Sequence, residues 1–75
     1  MGGLTEFPIE EAEKIASEFV KKKREMMKKI VVTQVTQLDE GKVRVNGTCI
    51  RPDGYPTEWE VKINEKKVVY EYNIP

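Results

Sequence analysis

Apolar residues recur at three- and four-residue steps through the first part of the chain, at Ile9, Ala12, Ile15, Ala16, Phe19, Val20, Met26, Met27 and Ile30. On a helix of about 3.6 residues per turn these positions make one broad stripe, so the spacing predicts a helix over 8–29. Pro8 suits the first helical position, where a missing N–H is not needed and φ is already set. Glu10, Glu11 and Glu13 then occupy the positive end of the helix dipole, and Lys21, Lys22, Lys23, Arg24, Lys28 and Lys29 the negative end. Residues 1–7 read as a flexible lead-in, with Leu4 or Phe7 folding back onto the core.

From Ile30 the pattern changes to β-branched residues and short alternations. Turn signals at Asp39-Glu40-Gly41, Pro52-Asp53-Gly54 and Asn64-Glu65-Lys66-Lys67 divide this region, 30–75, into strands over 31–38, 42–51, 57–64 and 67–73. Connections this short force antiparallel neighbours, because parallel strands need crossovers of about a dozen residues or more. The predicted fold class is therefore α+β: one N-terminal helix packed on a curved four-stranded antiparallel meander, as a single domain over 1–75.

Register follows from the turns. A type I turn ending in a left-handed Gly41 pairs Leu38 with Lys42, and carries Val35 to Val45, Thr33 to Gly47 and Val31 to Cys49. A five-residue loop over 52–56 pairs Arg51 with Thr57 and Cys49 with Trp59. Pairing Asn64 with Lys67 sets Ile63 against Val68, Val61 against Tyr70 and Trp59 against Tyr72. The predicted inner face is Val31, Val35, Val43, Val45, Cys49, Trp59, Val61, Ile63, Val68, Tyr70 and Tyr72. Gly47 falls in its middle, marking a bulge, a bend or room for Trp59 or Phe19.

The same register puts Ile30, Val32 and Ile50 together on the outer face among polar residues. Such a patch predicts contact with another subunit or protein, or cover from Leu4 and Phe7. Tyr55, in the Pro52–Pro56 loop, is a second candidate for protein interaction. The last strand is an apolar sheet edge, which suits pairing across a homodimer.

Composition narrows the chemistry. With 75 residues, one cysteine and no histidine, the chain has no intramolecular disulfide and a poor ligand set for zinc. A domain of this size buries only roughly 60% of the surface its unfolded chain exposes, so the apolar core carries its stability. Thirteen basic and thirteen acidic residues cancel, which excludes a strong overall field toward nucleic acid. A local basic face of Lys21, Lys22, Arg24 and Lys28 is the alternative, a nucleic-acid interface. Glycines are isolated, so no phosphate cradle is predicted, and no cofactor or small molecule is inferred. No apolar run approaches the roughly 20 residues a bilayer requires, and a soluble cytoplasmic protein is expected. Abundant Glu and Lys with few Asn and Gln is a balance enriched in thermophile proteins.

Cys49 reads as a buried small hydrophobe rather than a nucleophile, because no histidine is available to activate it. Glu58, Glu60 and Glu71 offer carboxylates, with Glu60 opposite Glu71 in this register, but on an open sheet face water screens them. The chain is expected not to be an enzyme.

The segments Ile9-Glu10-Glu11-Ala12-Glu13-Lys14-Ile15-Ala16, Glu58-Trp59-Glu60-Val61-Lys62-Ile63 and Val68-Val69-Tyr70 resemble PepSY-type modules. Those begin with a helix reading E-E-A-x-x-I-A and continue into strands reading W/Y-E-V-x-V; some inhibit or chaperone proteases. The closing D-x-x-T-G-x hairpin of that family is missing here. The helix-then-meander order is also similar to cystatin-like folds, but Gln34-Val35-Thr36-Gln37-Leu38 does not match their Q-x-V-x-G tip, so the resemblance implies architecture and not protease inhibition. A non-enzymatic protein-interaction or structural module is the leading expectation.

Overall fold

The computed structural model describes residues 7–75. Their order is α1 (Ile9–Lys23), β1 (Lys28–Gln37), a 3-10 turn (Asp39–Gly41), β2 (Val43–Ile50), β3 (Pro56–Ile63) and β4 (Val69–Asn73). The strands form one antiparallel sheet in the order β1-β2-β3-β4, as the short connections required. Leu4, expected to fold back onto the core, lies outside the described residues.

The helix is shorter than its apolar periodicity implied. Pro8 precedes it with extended backbone, and its carbonyl accepts from the Ala12 N–H at 2.9 Å. At the other end Arg24 leaves helical geometry at φ −136°, and the Met27 N–H donates to the Arg24 carbonyl at 3.1 Å to close a turn. Lys28 and Lys29, expected in the helix, instead open β1, where Lys28 pairs with Ile50. The β-branched run Ile30-Val31-Val32 favours extended backbone and draws its neighbours into the ladder, which outweighs the helical propensity of the lysines.

Buried Ala12, Ala16 and Val20 repeat every four residues along α1 and face the sheet. Two alanines on that line let the helix lie close to the strands, while Ile15 and Phe19 pack alongside. On the sheet, Val43, Val45, Cys49, Trp59, Val61 and Ile63 are buried, as expected of the inner face. Phe7 and Ile74 close the core at its two ends.

Three departures in register explain which side chains moved. In β1, Val32 faces Gly47 while Gln34 faces Asn46, so Thr33 is one extra residue; a second irregularity lies between Lys28 and Val31. One inserted residue exchanges the two faces on its far side. Ile30 and Val32 therefore pack against the core, correcting their expected outward position, and Val31 turns out to solvent at 51% exposure.

In the second hairpin Gly47, not Cys49, faces Trp59. The shift is by two, so the buried face is kept. It arises because the loop closes on Arg51 and Tyr55, whose carbonyl accepts the Arg51 N–H at 2.8 Å. Asp53 fastens this tighter turn, pairing with Arg51 at 2.8 Å and accepting the Tyr55 N–H at 3.2 Å.

In the third hairpin Val61 faces Tyr72 and Ile63 faces Val69, leaving Tyr70 as the extra residue. The Asn64 carboxamide oxygen accepts from Lys66 and Val68 N–H at 2.9 and 3.1 Å, which holds a longer turn with Lys67 at φ 65°. Val69 therefore replaces Val68 against the core, and Val68 is exposed.

Gly47 marks the closest approach in the sheet. A Cβ there would lie 2.2 Å from both Trp59 Cζ2 and the Val31 carbonyl oxygen. The indole lies across the bare backbone, and its N–H donates to the Thr48 carbonyl at 3.0 Å. Two side chains then tether the ends. The Gln37 carboxamide accepts the Phe7 N–H at 3.3 Å and donates to the Phe7 carbonyl at 2.9 Å, holding the approach to α1 on the end of β1. The Arg24 guanidinium donates to the Ile74 and Pro75 carbonyls at 3.2 and 3.1 Å, seating Ile74 under the helix end.

Gly47→Ala is expected to destabilise the fold by about 1–3 kcal/mol, the cost of overpacking a filled site. A urea titration of mutant against wild type measures it. Gln37→Ala is expected to cost about 1 kcal/mol through its two lost hydrogen bonds, with α1 retained by circular dichroism.

Candidate functional site

With Ile30 and Val32 inside, the outer face of the sheet is mostly polar. Ile50 remains there, half-buried opposite Pro56 and Lys28. Thr33, Gln34, Arg44, Asn46, Thr48 and Glu60 line a shallow depression of about 330 Å³ on this face. The Arg44 Nε is buried in it with no hydrogen-bond partner among the described residues.

The carboxylates do not assemble into a pair. Glu60 accepts from the Asn46 amide at 3.3 Å, whereas Glu71 lies opposite Lys62 at 3.6 Å. The longer β3–β4 turn and the extra residue Tyr70 each shift β4 by one, so Asn73 rather than Glu71 faces Glu60. Among the described residues, no cluster of three His, Cys, Asp or Glu side chains is placed to hold a metal ion. Cys49 is sealed in the core, and burial pushes its thiol pKa above the ordinary value, since a thiolate there would lose its hydration.

The expected basic face is divided by the turn after α1. Lys21 and Lys22 are exposed on the last helical turn. The Lys23 ammonium lies 5.5 Å from the ring centroids of both Phe19 and Tyr72, which themselves meet edge to face at 5.0 Å. Arg24 is engaged by the Ile74 and Pro75 carbonyls, and Lys28 stands on β1. The four cations expected on one helical surface thus come from a helix, a turn and a strand.

Two apolar surfaces stand out among the described residues. The first is the edge strand β4, on which Tyr70 and Tyr72 are 43% and 46% exposed, with Val68, just before it, 56% exposed. The second is a groove of about 450 Å³ beside the α1–β1 turn, formed by Lys22 to Met27 together with Pro52 of the β2–β3 hairpin. Tyr55 is exposed on that hairpin, three residues after Pro52.

No protein-family model, curated protein or solved structure matches the chain. Its function is therefore argued from these surfaces. The β4 edge was expected from the sequence, whereas the groove was not: Met26 and Met27 fitted the helical stripe, and only the density of positive charge around them marked the segment as unusual. No helix among the described residues is long and apolar enough to cross a membrane.

The raised Cys49 pKa has a calculable consequence. The unfolded thiol ionises first as pH rises through about 9.0, its ordinary value, while the folded thiol stays neutral. Its contribution to stability is thus complete below that pH and is lost as pH climbs toward the folded pKa. Stability measured by urea titration should fall more steeply above pH 9 in wild type than in Cys49→Ala, although the variant is less stable at neutral pH.

Proposed function

We propose that this protein is a non-enzymatic interaction module that pairs with a second copy of itself through the free edge of β4. The observation that carries the reading is the exposure of Tyr70 and Tyr72 on an edge strand, with Val68 exposed just before it. The other edge is less suited to pairing. β1 carries two irregularities, against one in β4, and begins with Lys28 and Lys29, both features that discourage an incoming strand.

A two-fold axis near Tyr70 makes the surface self-complementary. The exposed Tyr70 and Tyr72 rings and the Val68 side chain of the two copies then meet around that axis. Aromatic–aliphatic pairs of this kind contribute roughly 0.2–1 kcal/mol each. Zero formal net charge leaves no overall repulsion between copies.

Light scattering over a range of concentrations tests the proposal. Wild type is expected to approach dimer mass. Tyr70→Lys should weaken association at least about tenfold, equivalent to about 1.4 kcal/mol, while its circular dichroism stays native. Wild type that remains monomeric at the highest concentration would refute the reading.

A further inference from the structure

We infer that the groove between the α1–β1 turn and the β2–β3 hairpin docks an acidic segment of a protein partner, one that inserts a large apolar side chain between Met26, Met27 and Pro52. This goes beyond self-pairing through β4 and does not depend on it.

Charge is the first argument. Six of the thirteen basic residues fall between positions 21 and 29, against one of the thirteen acidic ones. A chain that is neutral overall is therefore strongly positive at one end and negative elsewhere. Lys22, Lys23 and Arg24 line the groove itself, with Glu25 as its single acidic member. An acidic occupant is attracted here and repelled by the rest of the surface, which fixes its site and its approach.

The floor is the second argument. Met26 is 70% exposed, the highest value among the large apolar side chains of the described residues, and it stands beside Met27 and Pro52. Methionine is unbranched and polarisable, so it adapts to differently shaped partner side chains. The rim is fixed where the floor is adaptable: Arg24 is held by the Ile74 and Pro75 carbonyls, and Lys23 by the Phe19 and Tyr72 rings. Positioned charges lose little freedom on binding.

The same features select a peptide over other polyanions. No aromatic side chain lines the groove to stack a base. Its concave floor between two chain segments suits an inserted side chain better than a flat bilayer. A volume of about 450 Å³ falls in the range, about 300–1,000 Å³, of pockets that enclose compact ligands.

Fluorescence anisotropy on the full chain tests the proposal, with a short dye-labelled peptide in which two adjacent leucines are flanked by glutamates. Saturable binding that weakens with added salt is expected. Replacing the leucines by serines, or Met26 by serine in the protein, should each weaken binding at least about tenfold, as should Lys22→Glu. Both protein variants change exposed side chains, and unchanged melting curves confirm that they remain folded. Absence of binding at low salt, or equal affinity for the serine peptide, would overturn the proposal. Tighter binding of single-stranded DNA, or of vesicles rich in phosphatidylserine, with displacement of the peptide would overturn it as well, assigning the basic end to nucleic acid or to a membrane surface.

Discussion

The packing of Trp59 across Gly47 is the constraint on which the rest of the sheet depends. Three strands meet at that point: Trp59 from β3, Gly47 from β2 and the Val31 carbonyl from β1. A side chain at position 47 would overlap the indole and the carbonyl together, so neither neighbour has room to yield independently. The indole N–H bond to Thr48 then fixes the ring orientation. With the largest core side chain lying flat against the backbone, the inner face is level enough for a helix carrying Ala12 and Ala16 to approach it closely. A small domain gains its stability from such contact, because it has little other surface to bury.

The helix is also held at its ends by polar groups acting as fasteners. Gln37 grips both main-chain groups of Phe7, replacing the strand partner that this residue lacks among the described residues. Glu11 pairs with Lys67 at 2.9 Å, tying the start of α1 to the β3–β4 turn. Arg24 performs the corresponding task at the other end. These contacts are individually modest, and the exposed ion pair contributes about 1 kcal/mol or less. Their effect is on geometry: they tie both ends of the helix to the sheet and its turns.

The element order, the antiparallel meander and most of the inner face were legible because hydrophobic period and turn residues act locally. What was not legible was where an extra residue enters a strand. A bulge leaves no mark in composition, since Thr33 and Tyr70 are ordinary strand residues. Its consequence is nevertheless discrete, exchanging the faces of every residue beyond it. That effect moved Ile30 and Val32 from a supposed surface patch into the core, while the longer β3–β4 turn exchanged Val68 for Val69 and, together with the bulge at Tyr70, separated Glu60 from Glu71. The two-residue shift between β2 and β3 did far less harm, because an even shift preserves the face. The helix end was misplaced for a different reason: Lys28 and Lys29 are good helix formers, and only pairing with a distant strand shows that they belong to β1. Ile74 and Arg24 were missed because their partners lie about fifty positions away.

The two exposed apolar surfaces are not isolated from each other. Lys23 lines the methionine groove and also lies over Tyr72, whose strand forms the free edge. Arg24 lines the same groove and holds the carbonyl of Ile74, immediately beyond that strand. The end of α1 and the end of β4 are thus fastened by the residues that border the groove. In this chain the short break after Lys23 has a larger role than ending a helix. It sets Met26 at the surface beside the half-buried Met27, lines the groove with Lys22, Lys23 and Arg24, and leaves the last strand anchored to the result.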